Sequence, residues 1–252
     1  MIVEYKGSNY FGFQLQAKLP TIQGELERAL YRLTGEKLRV ASASRTDTGV
    51  HAVGQVVSFK THSAVAPDKF ISGLNYYLPI DIAVKRVYRV EDSFNIRSKA
   101  VSREYKYYIL NSRVRSPLWE DYSFMVSGEL DIEAMNSAAA QLVGEHDFAS
   151  FASNLGVKLK STVRRIYNAC FERDGEMVIF GIKASSFLPH QVRNTIGALI
   201  RVGQGKMTGE EFHSIMLARK LGLAGPAAPA RGLCLMKVNY NKSLGEENSE
   251  NI

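Results

Sequence analysis

Strand-like and helix-like stretches alternate along this chain, and the alternation runs twice. Ile2–Tyr5 reads as a short strand, followed by a glycine-bounded loop over 7–12. Ile22, Leu26, Ala29, Leu30 and Leu33 then repeat at helical spacing, between Thr21 as a cap and Gly35 as a stop. Residues 38–41 read as a strand entering a polar turn over 42–49. Residues 54–59 are strand-like, 67–78 suit a helix and 82–90 a strand. The second half repeats the plan more loosely. Residues 105–110 form a β run of aromatics and Ile. Asp131 caps a helix that Gly144 stops. Residues 163–172 and 177–183 read as two strands about the Asp174-Gly175 turn. Helical spacing returns over 192–202 and 209–218, and 233–240 is a closing strand. Tight turns between strand pairs favour an α+β fold with mixed or antiparallel sheets over a doubly wound parallel one. The expected organisation is two similar subdomains flanked by helices, 1–92 and 93–241, with a disordered polar tail over 242–252.

The chain is 252 residues long and 45% apolar, enough for a sizeable core and against wholesale disorder. No apolar run approaches the ~18 residues of a transmembrane helix. The opening residues lack the basic start, apolar stretch and cleavage site of a signal peptide, so a cytoplasmic protein is expected. Cys170 and Cys234 belong to no C-x-x-C pair, and His51, His62, His146, His190 and His213 are scattered. Reduced, buried thiols and no metal site are the expectation. The net charge is +7, and setting aside Glu246, Glu247 and Glu250 raises that of the remainder to +10. A basic body points to a polyanionic partner, nucleic acid before membrane.

The segment richest in chemistry is Ser44-Arg45-Thr46-Asp47-Thr48-Gly49-Val50-His51-Ala52. It lies between two strands, where loops commonly carry working side chains. Taken alone, Asp47 could simply organise the turn through nearby backbone N–H groups. Arg45 two positions away adds little, since surface Arg–Asp pairs are common. Asp47-Thr48-Gly49 also spells the aspartic-protease triplet. Those enzymes need two carboxylates sharing a proton, and no second copy exists in this chain. A flanking Arg also opposes proton sharing.

The longer pattern resembles the tRNA pseudouridine synthase A (TruA) family. Ser44 to His51 with Gly54-Gln55-Val56 is similar to the family's active-site motif. Glu4-Tyr5-Lys6-Gly7-Ser8, with Tyr10, Gly12 and Gln14, resembles its opening. Leu74-Asn75 and Leu78-Pro79-Ile80-Asp81-Ile82 follow, then Phe94, Arg97, Ala100, Arg103, Tyr105 and Tyr107 in the family's spacing. Gly144, His146-Asp147-Phe148 and Phe151 come next. Phe187 with Gln191-Val192-Arg193-Asn194, then Ala228-Pro229-Ala230 and Gly232-Leu233, complete the set. The resemblance implies a uridine isomerase acting on tRNA positions 38 to 40 in the anticodon arm, as a homodimer with a basic cleft and without a cofactor. It makes Asp47 the nucleophile and Tyr105 the platform that stacks on the target base. Arg193 pairs with the Asp47 carboxylate, and Arg45 contacts RNA and helps displace the target nucleotide. On the residues alone, packing in a β run is the ordinary expectation for Tyr105, and a surface or structural ion-pair role for Arg193. His51 reads as structural or RNA-facing. A non-catalytic RNA-binding protein on the same fold is the alternative.

Four positions depart from the family pattern. Ser44 replaces a usual Gly, Thr48 an Ala, Phe13 a Trp, and Leu15 an Arg or Lys. The first strand also starts late, which leaves either an upstream start or a short edge strand.

Overall fold

A computed structural model describes residues 1–153 and 161–241; the expected tail over 242–252 lies outside them. In chain order the elements are β1 (Ile2–Tyr5), α1 (Ile22–Thr34), β2 (Ala41–Ser42), β3 (His51–Ser58), α2 (Pro67–Tyr77), β4 (Ile82–Arg86), β5 (Ala100–Leu110), β6 (Phe124–Met125), α3 (Ile132–Ala140), β7 (Gly144–Asp147), β8 (Val163–Asp174), β9 (Met177–Ala184), α4 (Gln191–Gly203), α5 (Gly209–Ala218) and β10 (Leu233–Tyr240). The fold is α+β, with mixed and antiparallel strand pairing. By compactness the chain divides into Met1–Arg103 with Cys234–Ile252, and Glu104–Leu233. The division expected near residue 92 follows element order, whereas this one follows contacts and gathers the closing strand into the first unit.

In the first unit the strand order is β4-β1-β3-β10. β1 pairs antiparallel with both β4 and β3, and β10 runs parallel to β3. β1 is therefore an interior strand, not an edge. The helices form where the apolar spacing places them. Thr21 Oγ1 accepts from Gly24 N at 3.2 Å, and Gly35 ends α1 at φ 74°. The apolar face of α1 buries Ile22, Leu26, Ala29 and Leu30. On α2, a Cβ at Gly73 would sit 2.5 Å from Leu33 Cδ1, so glycine lets the two helices meet. Asn75 on α2 bonds both the N–H and the carbonyl of Val84 on β4, at 2.7 and 2.9 Å.

Two strands are shorter than expected. Residues 38–40 are not strand, because the Glu27 carboxylate, not a neighbouring strand, takes the Val40 N–H at 3.1 Å. The strand expected over 82–90 stops at Arg86, which faces Ile2 at the end of four-residue β1; among the described residues no strand pairs with it beyond. β3 in turn starts at His51, because Cys234 of β10 pairs with it there.

In the second unit the order is β5-β9-β8-β7, with β6 parallel to β5 and both β8–β9 and β7–β8 antiparallel. Asp131 caps α3 as expected, accepting from Ala134 N at 2.9 Å. Thr208 and Glu211 form a capping box on α5. Asn136 on α3 bonds the N–H and carbonyl of Phe171 on β8, at 2.7 and 3.1 Å. Asn136 thus does in the second unit what Asn75 does in the first. The core here is built on Tyr107, Ile109, Met135, Phe148, Phe151, Phe180 and Phe212. Of the two thiols, Cys234 is buried as expected, while Cys170 is only half-buried. Burial pushes the Cys234 thiol up to about 12.

Candidate functional site

The loop bearing Asp47 is fixed by its backbone. Ala43 N donates to Val56 O at 2.9 Å and Phe13 N to Thr46 O at 3.0 Å. Gly49 N donates to Tyr10 O at 3.3 Å, and Val50 N to Asp47 O at 3.1 Å. The opening glycines exist for this approach. A Cβ on Gly7 would lie 2.1 Å from Val50 O, and one on Gly12 2.8 Å from Thr46 O. Gly12 also sits at φ 85°, a conformation glycine adopts without strain. The sequence similarity at Gly7 and Gly12 thus has a steric cause in the loop itself.

Thr46 and Val50 are buried, Asp47 is half-buried, and Arg45 and Thr48 are exposed. Half-buried Asp47 therefore stands between two buried anchors. Two further arginines brace the strand that leads into the loop. Arg97 donates to Ser42 O at 3.2 Å. Arg103, almost fully buried, donates to Ala43 O at 3.2 Å, Arg97 O at 3.1 Å and Ala100 O at 3.2 Å. Burial, and secondly the like charge of Arg45, hold the Arg97 guanidinium below its ordinary value. Arg45 and Arg97 thus form a local concentration of positive charge. His51 is buried and its Nδ1 accepts from Gly7 N at 3.0 Å, a structural role.

Three of the four departures from the family pattern have local explanations. Ser44 is not at positive φ, so the backbone there does not require glycine. Thr48 is exposed and finds room for its branched side chain. Phe13 is buried against Tyr5, with ring centroids 6.4 Å apart, and so serves the core. Leu15 is 39% exposed, and nothing in the structure explains an apolar side chain there.

In the second unit, Tyr105 is buried and meets Phe187 edge to face at 5.3 Å and 89°. Arg193, half-buried in the first turn of α4, donates from Nε to Ala228 O at 2.8 Å, and its carbonyl accepts from Ala228 N at 2.9 Å. Tyr107 donates to Pro229 O at 2.8 Å, and a Cβ on Gly232 would lie 2.6 Å from Tyr107 Cζ. The 228–232 segment is therefore the seat for both Arg193 and Tyr107. Among the described residues no group of three or more His, Cys, Asp or Glu could hold a metal ion. Among them, too, no helix is long and apolar enough to cross a membrane.

The loop, held by backbone bonds, carries half-buried Asp47 beside the positive charge of Arg45 and Arg97. A family model described as tRNA pseudouridine synthase matches residues 1–97 and 138–241. A tRNA pseudouridine synthase A of Acetivibrio thermocellus is 43% identical over 240 residues, covering 95% of this chain and 98% of that protein. The protein of the same name from Geotalea uraniireducens is 43% identical over 241 residues, with the same coverage. That of Aeromonas hydrophila is 39% identical over 243 residues, or 96% of this chain and 90% of that one. A chain of a solved Cbf5-Nop10-Gar1 complex aligns at 12% identity with a TM-score of 0.36, over 95% of this chain and 59% of that one, too slight a likeness to argue from. The chain belongs to the tRNA pseudouridine synthase family and is an isomerase.

Proposed function

We propose that this protein converts uridine to pseudouridine in the anticodon arm of tRNA, at positions 38 to 40, with Asp47 as the nucleophile. Family membership supports the reaction. The observation that carries the assignment to Asp47 is the loop, in which backbone bonds on both sides of the residue fix it in a half-buried position. The reaction breaks the N1–C1′ bond, turns the base and joins C5 to C1′. C5 gives up its hydrogen and N1 gains one, so substrate and product are isomers and no oxidant or reductant is consumed. Attack by the carboxylate on C1′ and its addition to C6 are the two routes to a transient covalent link. Arg193 supplies the cation that pairs with the carboxylate. Arg45, exposed and charged, meets the RNA and helps move the target nucleotide out of its stack. Tyr105 offers the face on which that base rests. The working form is a cytoplasmic homodimer.

The test is to incubate the purified protein with unmodified tRNA and map pseudouridine by position. Product confined to positions 38 to 40 is the expected result. Bound tRNA with no product would favour the alternative, a non-catalytic RNA-binding protein.

Tyr105 separates stacking from hydroxyl chemistry. Tyr105→Phe keeps the ring and is expected to slow turnover only through the lost hydroxyl. Tyr105→Leu is expected to fall a further ~5- to 150-fold, the equivalent of the roughly 1–3 kcal/mol a stacked base gains. Single-turnover rates decide it: equal rates for the two variants would remove the stacking role.

A further inference from the structure

Three side chains beside the Asp47 loop have no part in the chemistry above. Tyr5, Thr46 and Gln55 form a buried hydrogen-bonded line within the first unit. Gln55 is fully buried. Its Nε2 donates to Ser44 O at 2.7 Å and to Tyr5 Oη at 3.3 Å, while its Oε1 accepts from Ser44 N at 3.3 Å. Tyr5 Oη lies 2.7 Å from Thr46 Oγ1. Either hydroxyl can donate in that bond, and the phenol oxygen also accepts from Gln55. One amide thus holds Ser44 by both backbone groups, and through Tyr5 it also holds the residue next to Asp47.

Packing alone does not call for this arrangement. Apolar side chains would fill the same space without desolvating a side-chain amide and two hydroxyls. A fully satisfied buried network fixes one geometry where an apolar cluster tolerates several. Long-range pairing makes the network possible: Val3 faces Gln55 across β1 and β3, and a bulge between Val3 and Tyr5 shifts the pairing so that Tyr5 faces Ala52.

We propose that Tyr5, Thr46 and Gln55 are positioning residues, which hold the chain on the N-terminal side of Asp47 so that its carboxylate meets the bound uridine in one orientation. This rests on Asp47 being the nucleophile. Displacing a reacting group by about 1 Å can slow a reaction about 100-fold without weakening binding.

The test measures single-turnover rate and tRNA dissociation constant together. Tyr5→Phe keeps the ring against Phe13 and removes the link. Its rate is expected to fall at least about tenfold, with tRNA affinity within about twofold. Thr46→Val, nearly the same shape without the hydroxyl, is expected to behave alike, and Thr46→Ser to recover most of the rate. Combining Tyr5→Phe with Thr46→Val should add no more than about twofold, because both remove one shared bond. Should Tyr5→Phe fold poorly by thermal melting, the Thr46→Val and Thr46→Ser pair carries the test. A normal rate in Tyr5→Phe, a loss expressed in affinity, or losses that multiply in the double variant would each overturn the proposal. Asp47→Ala is measured beside them. If Asp47→Ala is inactive while Tyr5→Phe is fully active, the positioning role fails and the nucleophile stands. If Asp47→Ala is active, the reading beneath the proposal fails first.

Discussion

Replacing Asp47 by alanine is expected to abolish pseudouridine formation while tRNA affinity stays within about tenfold, a change of roughly 1.4 kcal/mol. Asp47→Asn, which keeps size and most hydrogen bonding but not the charge, is expected to be equally inactive. Both variants should fold. The backbone bonds that hold the loop, including the one to the Asp47 carbonyl itself, survive the substitution. A half-buried loop carboxylate is also not a core packing element. Product mapping and tRNA binding on the same preparations separate the two effects. Substantial turnover by Asp47→Ala would return Asp47-Thr48-Gly49 to an ordinary turn.

The second large effect is electrostatic. The net charge of +7, and +10 when Glu246, Glu247 and Glu250 are set aside, describes a body suited to a polyanion. Exposed Arg45, with Arg97 near it, concentrates that charge beside the loop. Each phosphate neutralised by Lys or Arg releases counterions. Six to ten such contacts would lower tRNA affinity by about 10³- to 10⁵-fold between roughly 50 and 200 mM salt. Titration of tRNA binding across that range is the measurement. A nearly flat dependence would count against a polyanionic substrate.

The sequence was most legible where structure is local. α1 lies between Thr21 and Gly35 because capping and left-handed termination are properties of single residues, visible without a neighbour. α3 begins after Asp131 for the same reason. Strands were less legible because each needs a partner. Residues 38–40 have a strand's composition, but the Glu27 side chain on α1 takes the Val40 N–H. β7, Gly-Glu-His-Asp, has almost no apolar signal and exists because β8 offers it a ladder. β6 spans two residues, too few for any periodicity, and exists through its pairing with β5. The Asp47 loop stood out because chemistry-bearing residues cluster in one stretch. The line from Gln55 through Tyr5 to Thr46 did not, because its members come from two strands and a loop. In sequence, Tyr5 and Gln55 look like ordinary strand residues. Only the pairing of β1 with β3 brings them together. The gathering of β10 into the first unit was hidden likewise, since its pairing with His51 and Ala52 joins positions at opposite ends of the chain.

The central claim, that this protein rearranges uridine in tRNA through Asp47, is tested most directly by hydrogen release. When C5 joins C1′ it must lose its hydrogen, so tRNA carrying tritium at C5 of uridine reports each conversion. With excess protein in a single turnover, release of one tritium per target uridine by the native chain, and none by Asp47→Ala at equal tRNA occupancy, is the predicted result. No release by the native chain from fully bound tRNA, or release by Asp47→Ala at the native rate, would contradict it.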